Sequence, residues 1–261
     1  MTAATPQPAA SQVIDGVNDL RKEGRVFPEG GLEIRRLLRS ADQLVRVNPA
    51  MGWMARGCVL SLTGSVDDTD AAFANAAKLA SNADESREVR LNWTISRQIL
   101  GQYLKARELL VNLMKPESGL SSPFVMTAVM TGNIRTAAES VDRWSEMGQE
   151  IDRDLAERTR VAARVLGTAG IADDDVIQQL EIAARVLLKH GLMTVPNVDK
   201  PALGEEFRAL DVPGEFQGVV YALRVNQSPS ATFDLNVELV EAREARGVPT
   251  NPALTIAFVP A

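Results

Sequence analysis

The chain has 261 residues, of which 45% are hydrophobic and 24% are charged, which is ordinary for a globular protein with a sizeable buried core. Its net charge of −6 argues against a nucleic-acid binder that works through bulk electrostatics, because phosphate contacts need clustered Lys and Arg. The sequence has no run of about 18 apolar residues, so it predicts no membrane span. A single cysteine, Cys58, permits no internal disulfide and fits a reducing compartment, and we therefore expect a cytoplasmic protein.

The N-terminal residues 1–10 are rich in Ala, Thr and Pro and have neither a basic start nor an apolar core segment. They do not match a secretory signal peptide, and we expect a disordered tail. From residue 11 to residue 190, apolar residues recur at spacings of three and four, which predicts a series of amphipathic helices. The expected stops between these helices are Pro28, Pro49, Gly64, Pro116 and Gly148.

One of these helices carries a mild basic cluster. It consists of four arginines, Arg35, Arg36, Arg39 and Arg46. Because Glu33 and Asp42 lie among them, the favoured interpretation is a solvated helix face.

A glycine-led pattern of small and apolar residues occurs three times, beginning at Gly64, Gly101 and Gly132. By their numbers the glycines lie 37 and 31 residues apart, close to the period of paired-helix repeats. A tight turn between two helices needs a residue that tolerates positive φ, which glycine supplies. Five positions after each glycine stands a small residue that lets two helices cross closely: Thr69, Ala106 and Ala137. Nine and twelve positions after it stand residues that would fill the space between helices: Phe73 and Ala76, Leu110 and Leu113, and Val141 and Trp144.

These units resemble the tetratricopeptide repeat over roughly residues 30–147. The family's glycine-x-aromatic-x-x-alanine element is matched best by Gly101, Tyr103 and Ala106. In the first unit the family's tryptophan, glycine, aromatic and alanine positions are occupied by Trp53, Gly57, Phe73 and Ala76. The resemblance implies stacked helical hairpins, an α-solenoid. An irregular all-α bundle, in which the glycines merely end helices, is the alternative.

In that family the first helix of each unit lines the inner surface of the solenoid. The resemblance therefore implies a partner-binding lining made of Met54, Cys58, Ser61, Leu91, Ile95, Gln98, Met126 and Val129. Such a lining is mostly apolar, and methionine adapts its shape to varied partners, so it favours an apolar helix or extended segment as ligand. A carboxylate clamp would need Lys, Arg and Asn at these points. The alternative is that helices from residues 150–190 cover the lining and make it core.

Three aspartates, Asp173, Asp174 and Asp175, open a predicted helix that closes at Lys189, His190 and Gly191. Aspartates cap free N–H groups and complement the positive start of a helix, while Lys189 suits its end. A metal site is the weaker interpretation, since no second ligand cluster is near in sequence.

Beyond Gly191 the composition changes, with seven of the chain's 13 prolines in the last 71 residues. Strands are predicted at 192–195, 218–225 and 254–259. Residues 232–246 fit a helix ended by Gly247, although the alternation in their first half would also suit a strand. The sequence thus predicts a helical domain over 11–190 and a small α/β domain over 191–261, with a strand–helix–strand unit in the latter.

Signatures of catalysis are missing from the sequence. It has no glycine-rich phosphate loop and no dinucleotide fingerprint. A zinc site needs several His or Cys ligands, and the chain has one of each. His190 falls at a predicted helix end, where a cap is the common role, and Cys58 is expected to be a buried, small apolar residue. We therefore predict no catalytic activity and no bound metal or cofactor.

The sequence as a whole predicts a cytoplasmic adaptor or chaperone-like protein that binds an apolar segment of a protein or peptide partner in a helical-repeat groove. Neither nucleic acid nor a membrane is an expected partner. Two alternatives are left open. One is a structural subunit of an oligomeric assembly, including a homo-oligomer. The other is an enzyme or small-molecule sensor, with a site at the domain junction near His190 and the loop 211–215.

Overall fold

The computed structural model describes residues 9–111, 121–195, 207–212 and 216–261. In these residues the chain is mostly helical, with one three-stranded sheet near the C-terminus, as the sequence predicts. The helices are α1 (Ala9–Arg21), α2 (Leu32–Val45), α3 (Pro49–Ser61), α4 (Val66–Leu79), α5 (Ala83–Ile99), α6 (Tyr103–Val111), α7 (Ser121–Met130), α8 (Ile134–Glu146), α9 (Arg153–Thr168), α10 (Asp173–Lys189) and α11 (Pro229–Glu244). The strands are β1 (Phe207–Val212), β2 (Phe216–Val225) and β3 (Leu254–Pro260).

The predicted helix limits agree with the structure at several of the expected stops. Pro49 is the first residue of α3, and the side chain of Asn48 caps that helix by accepting the N–H of Met51 at 3.1 Å. The expected stop at Pro116 lies outside the described residues, as does most of the expected tail of residues 1–10. Ala9 and Ala10, by contrast, already belong to α1.

Three helical hairpins, α3–α4, α5–α6 and α7–α8, follow one another along the chain. Their turns contain Gly64, Gly101 and Gly132 with φ of +78°, +69° and +83°, the conformation for which glycine was predicted there. The small residues five positions later, Thr69, Ala106 and Ala137, are fully buried. Each first helix also packs against the first helix of the next hairpin, α3 against α5 and α5 against α7. Leu113, predicted to fill the second hairpin, lies outside the described residues.

Helix α10 runs back across the turns of the second and third hairpins. A Cβ at Gly132 would lie 3.0 Å from Cγ1 of Ile177, and a Cβ at Gly101 would lie 2.7 Å from Cβ of Ala184. Ile177 and Ala184 are seven residues apart, a helical rise of about 10.5 Å, which matches the roughly 8–10 Å between packed helices. One face of α10 therefore meets successive turns of the hairpins.

Carboxylates of α10 complete the starts of two other helices. Asp173 accepts the backbone N–H of Arg135 in the first turn of α8 at 3.0 Å, and Glu181 accepts that of Leu104 in the first turn of α6 at 3.1 Å. These N–H groups have no partner within their own helix, so α10 caps both helices from outside. Of the other two aspartates of the run, Asp174 pairs with Arg107 of α6, and Asp175 accepts the N–H of Ala172 at 2.8 Å.

The sheet has the order β1-β2-β3, antiparallel between β1 and β2 and parallel between β2 and β3, with α11 in the connection. The prediction of a helix here is confirmed, and Ser228 caps it by accepting the N–H of Ala231 at 3.2 Å. The predicted strand at 192–195 is wrong, because Leu192 makes only an isolated bridge with Arg25. Strand β1 was not predicted. Its exposed residues Leu210 and Val212 are apolar, so the sequence lacks the alternation of apolar and polar residues that marks a half-buried strand.

Helix α11 covers the outer edge of β3. The side-chain amide of Asn236 accepts the N–H of Phe258 at 2.8 Å and donates to its carbonyl at 2.9 Å. The guanidinium of Arg243 donates to the carbonyl of Ile256 at 2.8 Å. These bonds satisfy edge groups that would otherwise pair with another strand.

Most of the buried apolar side chains of the described residues belong to two clusters. One joins α1–α5 and includes Met193, and the other extends from Tyr103 in α6 to Phe258 in β3. The sheet therefore shares its core with the helices that precede it. The domain boundary predicted at residue 190 stays a prediction from composition.

We expect Gly101→Ala to lower the free energy of unfolding more than Gly148→Ala does. Both glycines have positive φ, +69° and +71°, so both substitutions incur the backbone cost of about 1–2 kcal/mol. Only at Gly101 does the new Cβ meet Ala184, which adds ~1–3 kcal/mol of overpacking, whereas Gly148 has open space. Equilibrium urea denaturation measures both values.

A double variant provides the control. Ala184→Gly in the Gly101→Ala background removes the facing methyl group, so the two substitutions together should cost less than the sum of each alone. Equal losses at Gly101 and Gly148, or strict additivity with Ala184→Gly, would contradict the close approach of α10.

Candidate functional site

The predicted lining of the first hairpin is buried. Met54 and Ser61 are 0% exposed and Cys58 is 5% exposed. Helix α1 packs against α3, and Asn92 of α5 holds both sulfur atoms: its amide donates to Sδ of Met54 at 3.5 Å and accepts from Sγ of Cys58 at 3.9 Å. The chain itself thus covers this end of the predicted binding surface.

Burial also sets the chemistry of the thiol. Removal of Cys58 from water raises the pKa of its thiol to about 12, and its bond with Ser96 offsets this only in part. The thiolate is the reactive form of cysteine, so Cys58 is neutral and unreactive in the folded protein. It behaves as the small apolar residue that the sequence predicts.

The last residue of the predicted lining, Val129 in α7, is covered by the C-terminal sheet. It is fully buried, and the hydroxyl of Tyr221 in β2 donates to its carbonyl at 2.7 Å. The Tyr221 ring packs edge-on against Phe207 of β1, with 5.3 Å between centroids. From the sequence, helices in residues 150–190 were the expected alternative cover of this lining. Helix α9 does pack against α7, but the hydrogen bond to Val129 comes from the sheet.

Between these two closed ends, a part of the lining stays half-exposed. We call it the inner strip, and it consists of Leu91, Ile95 and Gln98 of α5 with Met126 and Met130 of α7. The side chain of Gln98 donates to the carbonyl of Met130 at 3.3 Å, which ties the two helices together. Met130 was not among the predicted lining residues. Its place one helical turn after Met126 is the signal that would have found it.

His190 lies at the C-cap of α10, as predicted, in a pocket of about 350 Å³ between α10 and α11. Its Nε2 is 2.7 Å from Oε2 of Glu238, whose Oε1 accepts from Nζ of Lys189 at 2.8 Å. The bonds from Lys189 and His190 lower the pKa of the Glu238 carboxyl, so it is ionised and paired rather than free to act as a base. The described residues that line this pocket include no Ser, Thr or Cys nucleophile.

The structure does not bring His190 together with Asp211, the first residue of the predicted junction loop. Asp211 belongs to β1, where it accepts from Arg164 at 2.7 Å and from Gln217 at 2.6 Å. Residues 213–215 of that loop lie outside the described residues.

A second apolar surface lies on α11 and was not predicted. Its outward side carries Phe233, Val237 and Val240, which are 67%, 43% and 46% exposed. We call these three residues the α11 stripe. They follow one another at spacings of four and three, while Leu235 and Leu239 form the buried side. The signal in the sequence is an excess of apolar residues for a helix that buries only one face.

Comparison of the chain with protein-family models, with curated proteins and with solved structures finds no match. The tetratricopeptide resemblance thus stays a prediction from the sequence pattern. Among the described helices, none is both long enough and apolar enough to cross a membrane.

We expect Cys58 to react with a thiol reagent such as DTNB far more slowly in the native protein than in urea. Its pKa of about 12 leaves little thiolate at neutral pH, and α1 and α5 block access. Reaction followed by absorbance at equal reagent concentration gives the two rates. Fast labelling of the native protein would show that the first hairpin's inner face is open.

The same raised pKa predicts a loss of stability at alkaline pH. Between about pH 9 and pH 12 the unfolded chain loses the thiol proton while the folded protein keeps it. The free energy of unfolding then falls as pH rises, by at most about 1.4 kcal/mol per pH unit. Urea denaturation at a series of pH values measures this dependence. The free energy of unfolding of Cys58→Ala should fall less steeply with pH than that of the wild type, and an equal fall in both proteins would contradict the raised pKa.

Proposed function

We propose that this chain is a protein-binding adaptor that holds an apolar segment of a partner against the inner strip. The observation that carries the proposal is a row of partly buried Leu, Ile and Met side chains on two adjacent helices, at the border of the core and between two closed ends. Support for a tetratricopeptide-like arrangement comes from three hairpins with glycine turns whose first helices pack side by side. Cytoplasmic location is part of the same proposal.

The inner strip suits an apolar ligand because its contacts are adaptable and uncharged. Met126 and Met130 have flexible, polarisable side chains that fit differently shaped partners. Gln98 is polar but already donates to the carbonyl of Met130. A ligand with alternate or helically spaced apolar residues would therefore be favoured over a charged one.

The strip supports only modest affinity. A half-buried Leu, Ile or Met gains about 1 kcal/mol on complete burial, roughly half of the 1.5–3 kcal/mol for a fully exposed one. Four such side chains give on the order of 4 kcal/mol, from which the costs of association are subtracted. A stable complex therefore requires contacts elsewhere on the molecule.

We expect Leu91→Glu and Met126→Glu each to weaken partner capture without unfolding the protein. Both side chains are half-exposed, so a carboxylate stays hydrated in the free protein but would be buried against the ligand. Peptides selected from a phage-displayed library on the wild-type protein provide the ligand, and fluorescence anisotropy measures the loss, about tenfold or more.

Leu79→Glu is the matched control, because Leu79 is 47% exposed at the end of α4, away from the inner strip. It should leave peptide affinity unchanged. If Leu91→Glu or Met126→Glu abolishes the cooperative thermal transition, these residues are core and the proposal fails. The proposal also fails if Leu79→Glu weakens binding equally.

The second candidate function is that of a subunit in a homo-oligomer, and the α11 stripe favours it. Around α11, Leu235 and Leu239 are buried and Asn236 and Arg243 bind the edge of β3. Further around the circumference of α11, beyond the residues that bind the edge of β3, lies the α11 stripe. Leu210 and Val212 of β1 are also exposed, each at 42%. A clustered apolar surface of this kind marks an interface more often than a chance exposure.

If the stripe mediates self-association, Phe233→Glu shifts the molecular mass toward the monomer. Light scattering across a dilution series of wild type and variant measures this mass. Met147→Glu, at a residue 54% exposed on α8, is the control and should leave the mass unchanged. A wild-type protein that is monomeric at every concentration would rule out this candidate.

A further inference from the structure

Helix α2 has a buried side and a strongly basic side. Ile34, Leu37, Ala41 and Leu44 are buried in the N-terminal cluster. On the opposite side all four arginines of the predicted basic cluster are exposed, and we call Arg35, Arg36, Arg39 and Arg46 the arginine face. At about 100° per residue, three of them lie within about 40° around the helix and Arg36 about 60° further.

The acidic residues expected to dilute this face do not neutralise it. The carboxylate of Asp42 accepts from Arg56 of α3 at 2.7 Å. Glu33 lies about 160° around the helix from Arg35 and about 60° from Arg36, and within the described residues it forms no ion pair with either. In the described part of the chain, none of the four arginines pairs with a carboxylate, and Arg39 donates only to the carbonyl of Arg35.

Many arginines on the other helices are paired. Eight of them each bind a carboxylate: Arg56, Arg87, Arg97, Arg107, Arg158, Arg160, Arg164 and Arg185. The chain has a net charge of −6, but the arginine face is locally positive. Its charges are not paired with carboxylates of the described residues.

An apolar groove borders the arginine face. It has a volume of about 280 Å³ and lies between α1 and α2, and we call it the α1–α2 groove. The residues that line it are Gln12, Val13, Leu37, Ser40, Gln43, Leu44 and Val47. Val47, at its end, is 85% exposed. Going around α2, Gln43 lies between Arg39 and Arg36. Val47 follows Arg36, and Leu44 and Leu37 come next, so charge and groove adjoin.

We propose that the arginine face and the α1–α2 groove form a second binding site, for an acidic amphipathic helix of a partner protein. Carboxylates on one side of that helix pair with the arginines, whose planar guanidinium groups match carboxylate geometry. Apolar side chains on its other side enter the groove beside Val13 and Val47.

The groove favours a peptide over nucleic acid. A phosphate backbone would use the arginines, but it offers no aliphatic side chain for the groove, and the described residues that line the groove include no aromatic ring on which a base could stack. The site lies on α1 and α2, whereas the inner strip lies on α5 and α7. Its test is therefore independent of the proposed adaptor surface.

The test uses four labelled probes with the full chain. They are a helical peptide with leucine on one face and glutamate on the other, the same peptide with lysine for glutamate, polyglutamate, and a short DNA duplex. We expect the first to bind most tightly in anisotropy titrations, and its affinity to fall with added salt because exposed charges are screened. Tighter binding of the DNA duplex or of the lysine peptide would overturn the proposal, as would no binding of the first peptide.

Matched variants locate the site. The triple variant R35Q/R39Q/R46Q should weaken the acidic peptide by about tenfold or more, since three exposed charge pairs are lost. The triple variant R90Q/R143Q/R153Q changes the net charge equally at exposed arginines of other helices, and should change affinity by less than about twofold.

Val47→Asp tests the groove, because it places a negative charge at its end without burying one. This variant should weaken the binding of the amphipathic peptide more than the binding of polyglutamate. If both triple variants weaken binding of the acidic peptide equally, the attraction is an unspecific effect of charge and the proposal is overturned. Equal effects of Val47→Asp on both peptides would remove the groove from the site.

Discussion

The turns at Gly101 and Gly132 pass so close to α10 that neither has room for a side chain. This close approach places α10 across two hairpins at once, and its carboxylates Asp173 and Glu181 cap α8 and α6. The position of α10 in turn fixes α11 and β3, which pack against it. Addition of one methyl group at either turn should therefore displace elements far along the chain, because close-packed interiors transmit strain.

The same arrangement decides which part of the inner surface a partner could reach. Helix α1 closes the first hairpin over Cys58, and Tyr221 holds the sheet against Val129. The inner strip between them is apolar and small, so its binding energy is modest and insensitive to salt. The arginine face of α2 is its electrostatic counterpart: under the proposal, its attraction for an acidic partner acts at long range and weakens as salt rises. The two proposed surfaces thus differ in their chemistry and in their dependence on salt.

The candidate reactive groups that the sequence singled out make structural contacts in the described part of the chain. Cys58 is buried with a raised thiol pKa, and Glu238 is paired with Lys189 and His190. The three aspartates at the start of α10 cap helices or bind Arg107. These residues stabilise helix ends and junctions, which is the role that their place in the sequence suggests.

The sequence by itself predicted the hairpins, the positive-φ glycines of their turns, and a helix over residues 232–246, which the structure shows as α11. These features depend on residues a few positions apart, where periodicity and capping act. Only the tertiary structure decided that Cys58 and Val129 are covered, that β1 joins the sheet, and that Asp42 leaves the arginines unpaired. Each of these outcomes depends on a segment remote in the chain, such as Tyr221 reaching Val129, and local preferences carry no information about such contacts.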